Sequence, residues 1–176
     1  MATNSLPPES PDAESPPPAG AATGAAEASQ DQEIAIVTQY IKDLSFENPG
    51  APATIIQPAE QPDGNVSVHV KRRRLSGDDH EVVLEFGLEA KRRDGSVAFI
   101  LELAYAGVFT VRGFDSEARR FVLSVECPKL LFPFARRVIA DSARDGGYPP
   151  VMLGPIDFAS LYQKQRASNA STPDAT

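Results

Sequence analysis

Few side chains in this sequence could carry covalent or metal chemistry, and none is spaced for it. His69 lies in a stretch that alternates like a strand, and His80 sits beside a turn. Neither has a cysteine or carboxylate at ligand spacing, so both read as solvated surface groups and no metal is expected. Cys127 is the single cysteine, which leaves no internal disulfide and no cysteine-based zinc site and fits a reducing compartment. It precedes a proline and has no evident basic partner to activate it. No Gly-rich dinucleotide fingerprint, phosphate-binding loop or G-x-S-x-G turn occurs. The chain therefore reads as a non-enzyme with no catalytic residue and no cofactor.

Charge is the next candidate for function. KRRR at 71–74 and KRR at 91–93 invite a nucleic-acid or other ligand-binding module. Both clusters stand at strand ends beside turns rich in Asp and Glu, without interleaved aromatics, so solvated strand ends that block edge pairing are the better account. No nucleic-acid partner is expected. The formal charge of −7 is no guide either, because six carboxylates and no Lys or Arg fall in residues 1–33. Three acidic positions are more suggestive. Asp43 and Glu47 share the outer parity of one strand, and Glu102 lies beside Ile100 on the outer parity of another, giving an acidic surface with an apolar member. Acids on a strand usually serve only solvation.

The elements that position these residues follow from periodicity. Residues 1–32 are almost wholly Pro, Ala, Ser and Glu and read as a disordered tail, as do residues 167–176. The span 33–166 is left for one domain. From Glu33 to Glu47 the sequence alternates, with Ile34, Ile36, Tyr40, Leu44 and Phe46 on one parity, which predicts a strand buried on its even side. A proline-broken connection, NPGAPATIIQPAEQPDGN, follows and is long enough to be functional. Three more alternating runs come next, separated by SGDD and DG turns. Their inward sets are Val66, Val68 and Val70, then Val82 to Leu88, then Val97 to Tyr105. After Phe114 the period becomes helical. DSEARRFVLSVE reads as one helix ended by Pro128. LLFPFARRVIADSARDGG reads as a second, which Pro133 should open because proline suits a first turn, and which Gly146 closes. A short helix capped by Asp157 ends the domain. Strands followed by helices predict an α+β fold: a four-stranded antiparallel sheet with helices packed on one face. No basic-plus-apolar leader and no run of eighteen apolar residues occur, so a soluble cytoplasmic protein without membrane insertion is expected.

Three blocks in order, KDLSFENPGAP, CPKLLFPFARR and GGYPPVMLGPIDF, together with AFILELAYAGVF, resemble SecB, the cytosolic protein-export chaperone family, over about Ile34 to Gln163. The resemblance implies an ATP-independent chaperone that binds unfolded preproteins and passes them to the export motor SecA. It implies a homotetramer built as a dimer of dimers, with Phe134, Val138 and Ile139 of the long helix at the interface. It places client-binding grooves between the long connection and the last helix, so that Ile55, Ile56, Val66, Val68, Phe158, Leu161 and Tyr162 would contact client. Asp43, Glu47, Ile100 and Glu102 match positions used for SecA. A SecB-like chaperone of a toxin–antitoxin pair is a variant of the same resemblance. Relatives commonly carry a tryptophan in the long connection, and this chain has none.

Overall fold

The computed structural model describes residues 32–56 and 63–170. Four strands, β1 (Glu33–Glu47), β2 (Asp63–Arg74), β3 (Asp79–Lys91) and β4 (Val97–Arg112), form one antiparallel sheet in the order β1-β4-β3-β2. The two hairpins lie where the turn chemistry places them. Gly77 and Gly95 take positive φ, and Asp94 Oδ1 accepts from the Ser96 amide at 2.9 Å. A short helix, α1 (Ala53–Ile56), interrupts the β1–β2 connection. Residues 57–62 of that connection, and the two expected tails over 1–31 and 171–176, lie outside the described residues.

β1 departs from simple alternation. Its register to β4 shifts between Ile36 and Thr38 and again between Ile41 and Asp43. Each extra residue reverses which parity faces which side. Ile34, Ile36, Ile41, Leu44 and Phe46 stand opposite the inward residues Val111, Phe109, Tyr105, Leu103 and Leu101. Tyr40 and Thr38, expected on the buried side, instead face outward. The even parity of β1 is therefore not one buried face. Nor is most of it covered: Ile36, Ile41 and Leu44 remain 42%, 47% and 41% exposed, because the long helix lies mainly over β3 and β4, while Phe46 packs on the core beside Gly146.

The helical layer is also more continuous than its prolines suggest. Asp115 caps α2 (Ser116–Phe121) by accepting from the amides of Glu117 and Ala118. The chain then passes through a π-helical turn, Val122–Glu126, directly into α3 (Cys127–Asp145). Pro128 does not end a helix. The wider turn shifts the hydrogen-bond register just ahead of it, so Pro128 falls in the first turn of α3. Pro133 does not open the helix but sits inside it. Its missing N–H leaves the Lys129 carbonyl without a donor, and both residues lie on the exposed flank, where water can serve. Leu131, Ala135, Ile139 and Ala143, one every four residues, form the buried stripe of α3. At Gly107 of β4 a β-carbon would lie 2.7 Å from Leu131 Cδ2 and 2.9 Å from Phe109 Cε2, so any larger residue there would force these buried side chains to shift. α3 closes with Gly147 at φ +86° while Tyr148 N–H bonds Ala143 O and Gly147 N–H bonds Arg144 O, both at 3.0 Å.

α4 (Phe158–Ala170) runs past the expected boundary at Arg166. It packs on the π turn and on α3, with Phe158 at 6.0 Å from the Phe132 ring. Asp157 caps it, its Oδ1 accepting from Ser160 N–H at 3.0 Å.

Cys127 is fully buried, and burial pushes its thiol up to about 12. A thiol buried in this way is expected to resist alkylation at neutral pH until the domain unfolds. Labelling by a maleimide with and without denaturant checks this, and rapid labelling of the native protein would contradict it.

Candidate binding cleft and acidic sheet face

A cleft of about 280 Å³, lined by apolar residues and their backbone, opens on the helix side beside the edge strand β2. Its floor is Val66, Leu88, Ala90 and Phe99 from three strands, and its wall is Val151, Met152 and Leu153 from the α3–α4 connection. That connection is held along α3 by Arg136, whose Nη1 donates to Leu153 O at 3.3 Å. It begins at Tyr148, whose hydroxyl donates to Ala98 O at 2.8 Å and whose ring lies 4.8 Å from Phe99. Pro149, Pro150, Gly154 and Pro155 bracket Val-Met-Leu, so a stiff loop sets Val151 and Leu153 partly into the core and displays Met152 between them. Met152 is 68% exposed.

Of the seven residues expected to contact client, Val66 lines this cleft, and Val68 is half-buried one step along the same face. Ile55 and Ile56 are exposed on α1, where the Ile55 side chain lies close to Gly147. Phe158 and Tyr162 do not form an open wall: both are buried, Phe158 against Phe132 and Tyr162 edge-on to Phe121 at 6.3 Å. Leu161 is partly buried against the same core. All three pack α4 onto the helical layer. Val151, Met152 and Leu153 line the cleft without having been expected there, and their signal in the sequence is the Pro/Gly bracketing of an apolar triplet.

Among the described residues, no helix lies on the opposite face of the sheet. The second β1 bulge brings Asp43 opposite Ala104, Ser45 opposite Glu102 and Glu47 opposite Ile100. Asp43, Glu47, Ile100 and Glu102 thus share one outward face, as their separate parities implied. Asp43 and Glu102 border a shallow trough of about 280 Å³ over Gly87, which Glu85 and His69 also line. Toward the other end the face becomes ionically paired. Lys71 bonds Glu85 at 2.7 Å, and Glu81 is shared by Lys42 at 2.8 Å and Arg73 at 3.1 Å. Tyr40 also donates its hydroxyl to Glu81. The hydrogen bonds from Lys42 and then Tyr40 hold the Glu81 carboxyl down at about 2.

The KRRR cluster is spent on contacts within the protomer. Besides Lys71 and Arg73, Arg72 donates to the buried Ser124 hydroxyl at 2.6 Å, and Arg74 donates to Gly77 O. Among the described residues, no group of three His, Cys, Asp or Glu side chains could hold a metal ion, and no helix is long and apolar enough to cross a membrane.

The cleft lies beside β2 and not between the long connection and α4, where the resemblance had put a groove, and the family follows from likeness to known proteins. The model of the SecB family, described as preprotein translocase subunit SecB, matches residues 27–169. The chain belongs to the SecB family. It is 47% identical over 145 residues to the protein-export protein SecB of Afipia carboxidovorans, covering 82% of this chain and 89% of that one. It is 45% identical over 152 residues to that of Parvibaculum lavamentivorans, covering 86% and 88%. A solved SecB-like chaperone of Mycobacterium tuberculosis, in complex with an antitoxin peptide, superimposes with a TM-score of 0.58 at 13% identity, over 70% of this chain and 90% of that one. That likeness is one of fold. Members of this family are protein-export chaperones.

Proposed function

We propose that this SecB protein is an ATP-independent cytosolic chaperone that holds unfolded preproteins in a translocation-competent state and delivers them to SecA. The observation that carries the reading is the apolar cleft between β2 and the Val151–Leu153 wall. Such a cleft offers non-directional contacts that accept many sequences, each worth little alone and summed over several clefts. Val66, Val68, Val151, Met152 and Leu153 are its proposed client contacts, with Ile55 and Ile56 extending the apolar surface toward the end of α3. The test is a refolding-delay assay without nucleotide. The protein should slow the refolding of a urea-unfolded preprotein in proportion to its concentration, and an unchanged refolding rate would remove the proposal.

We further propose a homotetramer. β1 is a 15-residue edge strand with bare apolar side chains, a surface that a soluble protein covers or blunts. A second copy joined along it gives a dimer. On α3, Leu130 and Phe134 are 44% and 43% exposed and Val138 is half-buried, one every four residues on the flank turned from the sheet. Two such stripes facing each other join two dimers. Ile139 does not belong to that stripe: it is 1% exposed and faces the protomer's own core.

The acidic face of Asp43, Glu47, Ile100 and Glu102 is the proposed SecA surface. Asp43→Lys, Glu47→Lys and Glu102→Lys should each weaken SecA binding while client holding and assembly size persist. Surface changes of this kind usually alter stability by no more than about 0.5 kcal/mol. Wild-type binding should itself weaken with salt as screening shortens the field. Calorimetric titration at low and high salt checks both, and charge-reversed proteins that bind like the wild type would contradict the assignment.

A further inference from the structure

We infer that Glu81 is a positioning residue for the acidic sheet face: by accepting from both Tyr40 and Lys42, it fixes the β1 bulge that turns Asp43 outward. The inference rests on the proposal that SecA binds this face. In the β1–β4 ladder Ile41 stands opposite Tyr105 and Asp43 opposite the next residue, Ala104, so Lys42 is an extra residue in β1. Ile41 shares the helix-side face with Tyr105. Without the extra residue, strict alternation from Ile41 would turn Asp43, Ser45 and Glu47 toward the helical layer and Leu44 and Phe46 to solvent. With it, Leu44 and Phe46 meet Leu103 and Leu101, and the acids face out.

A bulge gives up regular ladder pairing and needs something to hold it. Glu81 does so from two strands away. It projects from β3 over Ala106 and Val108 of β4 and accepts, on the single oxygen Oε1, from the Tyr40 hydroxyl and from Lys42 Nζ at 2.8 Å. Those are the outward side chains on either side of Ile41. Its other oxygen accepts from Arg73 Nη2 of β2 at 3.1 Å. The Glu81 side chain is only 5% exposed, so losing the bulge would strip partners from a buried charge, a costly change. Glu81 therefore need not touch the partner to set where Asp43 points.

The test combines Glu81→Gln with Asp43→Asn, singly and together, in the full chain. The readouts are SecA affinity, client retention and amide hydrogen exchange at Lys42 and Asp43. Glu81→Gln should weaken SecA binding about tenfold, speed exchange at the bulge and leave client retention unchanged. In the Asp43→Asn background it should have little further effect on SecA, because the residue it positions has lost its charge. Lys42→Met, which keeps chain length and removes the ammonium, should act in the same direction and guards against a folding defect specific to Glu81→Gln. Wild-type affinity in both Glu81→Gln and Lys42→Met would overturn the inference, as would a Glu81→Gln effect that persists in full on Asp43→Asn. If Asp43→Asn and Glu47→Lys both leave SecA binding unchanged, the acidic-face proposal fails on its own. Exchange at Lys42 and Asp43 then decides the bulge, with unchanged rates in Glu81→Gln overturning the clamp and faster rates supporting it.

Discussion

Phe134→Asp is expected to leave a folded protomer and split the assembly into dimers, whereas Ile139→Asp is expected to unfold the protomer itself. The two positions share α3 but lie on opposite flanks. Phe134 is exposed on the stripe of Leu130 and Val138, and Ile139 is buried with Leu131, Ala135 and Ala143 against the sheet. A carboxylate forced into either apolar layer costs several kcal/mol, on the order of 3 to 5, when nothing pairs with it. At Phe134 that cost falls on association. At Ile139 it falls on folding and is comparable to the whole stability of a small domain, about 5–15 kcal/mol. Sedimentation velocity and thermal melting separate the outcomes. Phe134→Asp that stays tetrameric at micromolar concentration would put the interface elsewhere, and Ile139→Asp with a wild-type melting curve would contradict its place in the core.

Client holding should depend on the α3–α4 wall more than on the last helix. Met152→Asp combined with Val66→Asp is expected to weaken client affinity by at least tenfold. Each fully buried apolar side chain contributes roughly 1.5–3 kcal/mol, a tenfold change in affinity takes about 1.4, and any loss repeats in each cleft of an oligomer. Both side chains are exposed in the free protein, so folding and assembly should be unaffected. Phe158→Ala should do the reverse. It empties a site that is 1% exposed between helices and should cost about 3–5 kcal/mol of stability, whatever it does to client. Fluorescence anisotropy with a labelled unfolded preprotein, read beside a denaturant melt, checks the contrast. Equal loss of holding in a stably folded Phe158→Ala would return the groove to α4.

How much of this was legible in the sequence depends on whether local rules governed each element. β2, β3 and β4 alternate without interruption between strong turn signals, and their boundaries and inward faces follow directly. β1 alternates too, but two extra residues reverse its parity, and the force that holds the second, a carboxylate on β3, is distant in sequence. The outward placement of Asp43 and Glu47 nevertheless agrees with their parity, because both bulges lie before them and the two reversals cancel. Pro128 and Pro133 look like helix breakers by local chemistry. A π turn ahead of one and an exposed flank beside the other let α2 and α3 run together. On α4, Phe158 and Tyr162 look like spare apolar surface until Phe132 and Phe121 of the preceding helices are seen to meet them. The cleft wall at Val151–Leu153 went unread for the opposite reason: a loop has no periodicity from which to infer a face.

The central claim, that the cleft beside β2 receives unfolded preprotein, is tested most directly by site-specific photo-crosslinking. A photoreactive phenylalanine analogue is placed at Met152 in one protein and at Leu75, equally apolar but on the β2–β3 turn and 44% exposed, in another. Each is irradiated with a urea-unfolded preprotein diluted into buffer. Position 152 should capture the unfolded chain and not its folded form, and position 75 should capture neither. Crosslinks of equal yield at the two positions, or none at position 152 while refolding is still delayed, would contradict the account.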